Sequence, residues 1–200
     1  MNKTYTPPKI ILERYADVLV NFALNSGEGV KKGEVVEIAV PDIAKPLAKE
    51  LQRAVLKSGG HPIVRLSPTG GFNKDLFELA SNDQLTHFPV DYLKAKAKLL
   101  NHTISIIAET EPHELKDIDS KKILKLRKAK YPYREWLFEK ERHGKFTWTI
   151  GLYGTQAKAE IVGLSLRQYW DQIINACFLD RENPIEEWKN LTKLQKDIET

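Results

Sequence analysis

Cysteine is nearly absent from this chain of 200 residues: Cys177 stands alone. A single thiol excludes an internal disulfide and a cysteine-rich metal site. Long hydrophobic runs are missing too. None approaches the ~18 residues that a membrane-spanning helix needs. The opening Met-Asn-Lys-Thr-Tyr-Thr-Pro-Pro has no apolar core of the signal-peptide kind. A cytoplasmic location without a membrane partner is therefore expected. Charge of one sign is also scarce, since 31 basic and 27 acidic residues leave a net charge of +4. So weak a field permits a nucleic-acid partner but does not argue for one. No internal repeat or low-complexity tract occurs.

What is present describes a well-built globular chain. Hydrophobic residues make up 42% and charged residues 29%, an ordinary balance. A chain this long can bury roughly 70% of its unfolded surface. Ile11, Tyr15, Val18, Leu19 and Phe22 recur at helical spacing, so residues 9–24 read as an amphipathic helix. The β-branched run 35–40 reads as a buried strand. Asp42 is expected to cap a second helix, with Pro46 in its first turn and Gly59-Gly60 as its stop. Residues 63–66 form the next strand.

Strand, helix, strand at this spacing predicts a βαβ unit and a parallel sheet. Residues 72–100 read as helical, broken near Asn82-Asp83 and Pro89. Two further strands are expected at 102–108 and 146–153, with helical segments near 112–143 between them. Everything after Thr155 reads as helix. Ser165 and Gln168 carry the spacing of a capping box. Leu166, Tyr169, Trp170, Ile173, Ile174 and Cys177 make one apolar stripe, and Ile185, Trp188, Leu191, Leu194 and Ile198 another. The fold class is therefore α/β: a three-layer domain over 1–200, with a mostly parallel sheet between helices and a helical C-terminal extension over 155–200.

No catalytic motif accompanies this fold. The first βα turn, Val40-Pro41-Asp42, lacks the glycines of a dinucleotide fingerprint, and its carboxylate would repel a pyrophosphate. No GxxxxGK[ST] or HExxH sequence exists, and no GxSxG elbow. Gly70-Gly71 after the second strand is a weak anion nest or simply a surface loop. Glu109, Glu111, His113 and Glu114 cluster locally, where a site or an ordinary turn could lie. Cys177 falls on a buried stripe and reads as structural. The basic stretch 116–134, with Tyr131 and Tyr133, could bind a single strand or be a solvated helix face. No catalytic and no metal-ligating residue can be assigned.

Several stretches, taken in order, resemble the metallo-aminopeptidases of the aminopeptidase T and aminopeptidase S type. They are residues 12–20, Val30-Lys31-Lys32-Gly33-Glu34, Pro46-Leu47-Ala48, Lys57-Ser58-Gly59-Gly60, residues 104–108 with Glu111-Pro112, and 117–123. The most specific are Tyr153-Gly154-Thr155-Gln156-Ala157-Lys158-Ala159, then 164–170 and 176–180 through to Trp188. The resemblance runs from about residue 9 to residue 191. Gly154 departs from it, because the family usually has proline there.

The resemblance implies the N-terminal, substrate-cavity and subunit-contact domain of an enzyme that removes N-terminal residues from peptides. A second domain, expected beyond Thr200, would carry two divalent metal ions that activate water and steady the tetrahedral intermediate. This chain would then hold no cofactor and be inactive alone. Its partners would be the metal domain, the peptide substrate and a second subunit. Tyr153 and Thr155, at the end of the fourth strand, are the residues expected to face the substrate cavity. Ile185, Trp188, Leu191 and Leu194 are expected in an exposed patch where the metal domain docks. The alternative is a stand-alone nucleotide- or nucleic-acid-binding module that uses Gly70-Gly71 or the basic stretch.

Overall fold

A computed structural model describes residues 5–199, and side chains through residue 197. Four strands, β1 (Val35–Pro41), β2 (His61–Ser67), β3 (His102–Ile107) and β4 (Thr147–Leu152), form one sheet in the order β2-β1-β3-β4. All three pairings are parallel. In register, Ile38 lies between Val64 and Ile104, and Ile104 lies beside Thr149. Helices cover both faces, as the βαβ spacing predicts.

The first face is packed tightly. Val36, Ile38, Val40, Ile104 and Ile106 point toward α1 (Lys9–Asn21) and α2 (Lys45–Lys57), and all are buried. Leu47, Leu51 and Val55 of α2 are fully enclosed in the same core. β4 joins this face through a close approach. A Cβ at Gly151 would stand 2.9 Å from Ile106 Cδ1 and 3.0 Å from Leu19 Cδ1. The Tyr15 hydroxyl locks the contact, accepting from the Leu152 N–H at 2.8 Å and lying 3.2 Å from the Leu152 carbonyl.

The second face is thinly covered by α5 (Val90–Leu99) and α6 (Ser120–Arg142). Its centre is polar. Glu37 is buried there between Lys96 at 2.6 Å and Arg65 at 3.0 Å. Two charged partners are what make so buried a carboxylate tolerable. Thr103 Oγ1 and the Tyr133 hydroxyl are buried nearby with no hydrogen-bond partner among the described residues. Desolvation pushes the Tyr133 phenol up to about 12. Toward β4 the face opens: Ile107, Trp148 and Ile150 keep 41%, 50% and 52% of their surface.

The remaining helices are α3 (Phe72–Leu79), α4 (Asn82–Thr86), α7 (Gln156–Ile161), α8 (Leu166–Ala176) and α9 (Pro184–Glu199). The Ser165–Gln168 capping box forms as expected, and a second one, Ser81–Gln84, starts α4. Leu166, Trp170 and Ile173 carry α8 into the core shared by α1 and α2.

Four expectations are corrected. Asp42 does not cap α2: it opens a 3-10 turn, Asp42–Ala44, and its carboxylate accepts from the Thr69 hydroxyl at 2.7 Å instead. α1 ends at Asn21, because Phe22 already leaves the helical region at φ −132°, and residues 25 and 26 follow at positive φ. The 112–143 region is one long helix, α6, preceded by turns, and it carries Pro132 in its interior. The stripe of α9 is mostly used on its own body. Trp188 stacks on Phe22 at 6.2 Å and meets Phe178 edge-on at 5.5 Å, and Ile185 packs against the core. Leu191 is half-buried and Leu194 is exposed, while the side chain of Ile198 lies outside the described residues.

Candidate functional site

In an open parallel sheet, ligands collect beyond the carboxyl ends of the strands where the strand order reverses. Here the chain runs outward from β1 to β2 and then crosses back to β3, so the reversal lies between β1 and β3. A crevice of about 240 Å³ opens there, lined by Pro41, the 67–70 loop, Asn73 and residues 107–111 with Glu114. Its charged residues are three carboxylates, Glu109, Glu111 and Glu114.

Two of the three are committed to structure. Glu114 Oε1 accepts from the backbone N–H groups of Asn73 and Lys74, both at 3.1 Å, and so ties off the start of α3. Glu109 pairs with Lys158 at 2.8 Å, and that hydrogen bond raises the lysine above its ordinary range. Beside the crevice, the Thr69 hydroxyl holds Asp42 below the usual carboxylate range. Gly70 and Gly71 both sit at positive φ, 85° and 88°. Such angles favour glycine, so this loop needs both residues for its turn.

Tyr153 and Thr155 stand at the carboxyl end of β4. Tyr153 is 6% exposed and meets Trp170 edge-on, with ring centroids 4.9 Å apart. Thr155 is equally buried. Its hydroxyl donates to the Glu109 carbonyl at 2.5 Å and caps α7 by accepting from the Lys158 N–H at 3.3 Å. Both side chains are buried, and Thr155 bonds the backbone of both members of the Glu109–Lys158 pair. Between them lies Gly154. A Cβ there would fall 2.7 Å from Trp170 Nε1, which is closer than side-chain carbons approach. Glycine at 154 lets Trp170 lie against the turn, a pairing that no local sequence pattern reveals.

The other residues singled out by sequence stay apart. Among the described residues, no group of three or more His, Cys, Asp or Glu side chains could hold a metal ion. The donors present among the described residues do not fit a two-metal centre. Cys177 is half-buried against Tyr15, and burial pushes its thiol up, away from the reactive thiolate. In the basic stretch, Lys122 donates to the Phe77 carbonyl and Lys125 to Asn82 Oδ1 at 2.6 Å each. Those two lysines tie α6 to α3 and α4. No helix among the described residues is long and apolar enough to cross a membrane.

Sequence reasoning missed a larger cavity at the opposite end of the strands. It measures about 670 Å³ and has four lysines, Lys94, Lys98, Lys140 and Lys145, in its lining. The signal was there in part: lysines crowd the last turns of α5 and α6, although their convergence depends on how the two helices cross.

Comparisons with known proteins agree with the resemblance read from the sequence. A solved structure, wild-type AmpT from Thermus thermophilus, has the same fold, with a TM-score of 0.71 at 20% identity. The match covers 91% of this chain and 45% of that one. Aminopeptidase AmpS of Bacillus subtilis (strain 168) is 22% identical over 195 residues, covering 90% of this chain and 45% of AmpS. The chain thus spans about half the length of the relatives it matches. A family profile described as thermophilic metalloprotease (M29) matches residues 9–200, nearly the whole chain, and the chain belongs to that family.

Proposed function

We propose that this chain is the N-terminal, substrate-cavity and subunit-contact domain of a metal-dependent aminopeptidase, an exopeptidase acting on peptides in the cytoplasm. The observation that carries the reading is a mismatch. A metalloprotease family profile matches residues 9–200, yet the described residues hold no metal-binding group and the chain spans 45% of its relatives. On this reading the two divalent ions sit in the remainder of the enzyme, and residues 1–200 act as one α/β domain with 155–200 packed onto it.

Tyr153 and Thr155 belong to this proposal as residues of the substrate-cavity wall: Thr155 holds the Glu109 carbonyl and the Lys158 N–H behind the Glu109–Lys158 pair, and Tyr153 anchors the same turn against Trp170. The open face around Trp148 and Ile150 is where the remainder of the enzyme, or a second subunit, covers this domain. An exposed apolar edge strand invites pairing with other chains unless something covers it. β4 is such a strand.

The test is an antibody raised to this chain, used to capture the native polypeptide from cells that make it. The captured material is assayed on a panel of aminoacyl p-nitroanilides. Aminopeptidase activity that a chelator abolishes and a divalent ion restores is the expected result. Captured polypeptide of 22.9 kDa with no such activity would overturn the proposal.

A further inference from the structure

We infer that the cavity at the amino ends of the strands is a binding site for a small multivalent anion of the phosphate-ester class. Its size, about 670 Å³, lies within the ~300–1,000 Å³ typical of small-molecule sites. Its floor is Asn101 and His102 at the start of β3, and its walls are the last turns of α5 and α6.

Charge carries the argument. Lys94, Lys98, Lys140 and Lys145 line this one hollow, and Glu34 is the carboxylate that lines it with them. Glu34 is already occupied: the same oxygen accepts from the Lys31 N–H at 2.6 Å and lies 2.8 Å from His102 Nε2. His102 Nδ1 in turn bonds Thr147 Oγ1 at 2.8 Å. Lys140 has a structural duty, donating to the carbonyls of Ala97, Lys98 and Leu100 at the end of α5. Burial and the nearby Lys145 both lower its proton affinity. Like charges gathered at a concave surface repel one another and focus a positive field into it. An anion entering the hollow relieves that repulsion and gains charge-assisted hydrogen bonds from Lys98 and Lys145.

Trp136 suits the organic part of such a ligand. Its indole lines the cavity, with Lys94 5.7 Å from the ring centroid on a cation–π contact and Phe88 at 5.7 Å. A flat, apolar group can rest there while its phosphate meets the lysines. The site lies at the opposite end of the strands from the carboxyl-end crevice, and it stands whether or not the aminopeptidase reading holds.

Isothermal titration calorimetry on the full chain at low ionic strength tests the inference, with pyrophosphate and AMP as probes and a single-stranded oligonucleotide in a parallel arm. Saturable binding of one pyrophosphate or AMP per chain is expected, weakening as salt rises. The double variant K98A/K145A should lose affinity by about tenfold or more. Both side chains are exposed, so its unfolding transition should match that of the parent. The reversal K98E/K145E should abolish binding. No binding of either small probe, unchanged affinity in both variants, or binding of the oligonucleotide alone would each overturn the inference.

Discussion

On one face of the sheet, Val36, Ile38, Val40 and Ile104 have no exposed surface beneath α1 and α2. On the other, Trp148 and Ile150 leave half of theirs in water, and a paired glutamate takes the place of a dry core. Both faces are laid down by the same strands, so β-propensity does not separate them. The difference lies in what covers them. α2 offers Leu47, Leu51 and Val55 in one stripe, whereas α6, for all its 23 residues, buries none completely. A face finished by its own helices is there for stability. The other face, on an edge strand, is left unfinished, and on the proposed function the rest of the enzyme or a second subunit covers it.

Substitutions of matched chemistry should break this symmetry most strongly at the core. Leu51→Ala removes a fully buried side chain and should cost about 2–5 kcal/mol in urea unfolding. Ile150→Ala on the open face should cost less than half as much in the same experiment. Equal losses would mean that the second face is also core.

Gly154→Pro sets a ring against Trp170, whose Nε1 already lies within 2.7 Å of a Cβ at that position. Displacing so well packed an indole should cost about 1–3 kcal/mol. The near-ultraviolet circular dichroism of the tryptophans should change with it. Unchanged stability would mean that Trp170 repacks freely.

Between the two faces, at the amino end, Glu34 gives the comparison a pH dependence. Burial, the largest single influence, would raise its pKa. The Lys31 N–H and then His102 outweigh burial and hold the carboxyl below its ordinary value. A depressed carboxylate stabilises the fold above its unfolded pKa, and that contribution is lost as pH falls through the folded one. Glu34→Gln should therefore cost about 1 kcal/mol at neutral pH and flatten the acid limb of the stability profile. An acid limb of unchanged slope would place the effect elsewhere.

The smallest effect on stability is expected at Trp148→Lys. The side chain is half exposed, and its indole N–H reaches only the exposed Glu141 carboxylate at 3.0 Å. Its unfolding free energy should stay within about 0.5 kcal/mol of the parent. If the proposed function holds, the same substitution in the native polypeptide should lower chelator-sensitive activity or break its assembly. A large loss of stability in the isolated chain would make Trp148 a core residue.

Much of this fold is legible in the sequence. The β-branched run 35–40 and the aromatic run around Trp148 announce their strands, and Ser165 with Gln168 announces the start of α8. Spacing alone implies the parallel sheet. The strand order is not legible, because nothing local says that the chain crosses back past β1 after β2. The α9 stripe was legible as apolar, but its partners, Phe22 and Phe178, lie far off in the chain or on a residue at positive φ. Apolar pattern alone therefore could not say which stripe would be left open. The lysine-lined cavity was hidden for a similar reason: its cations come from two helices and a turn brought together only by tertiary packing.

The most direct measurement of the central claim is hydroxyl-radical footprinting of Trp148. It would compare this 200-residue chain with the native polypeptide captured from cells, and Trp170, fully buried, serves as the internal control. If the open face is covered by the rest of a metallo-aminopeptidase, Trp148 should be oxidised readily in the isolated chain and protected in the native polypeptide, with Trp170 protected in both. Equal reactivity of Trp148 in the two would contradict the account, because the face would then be open wherever the protein works.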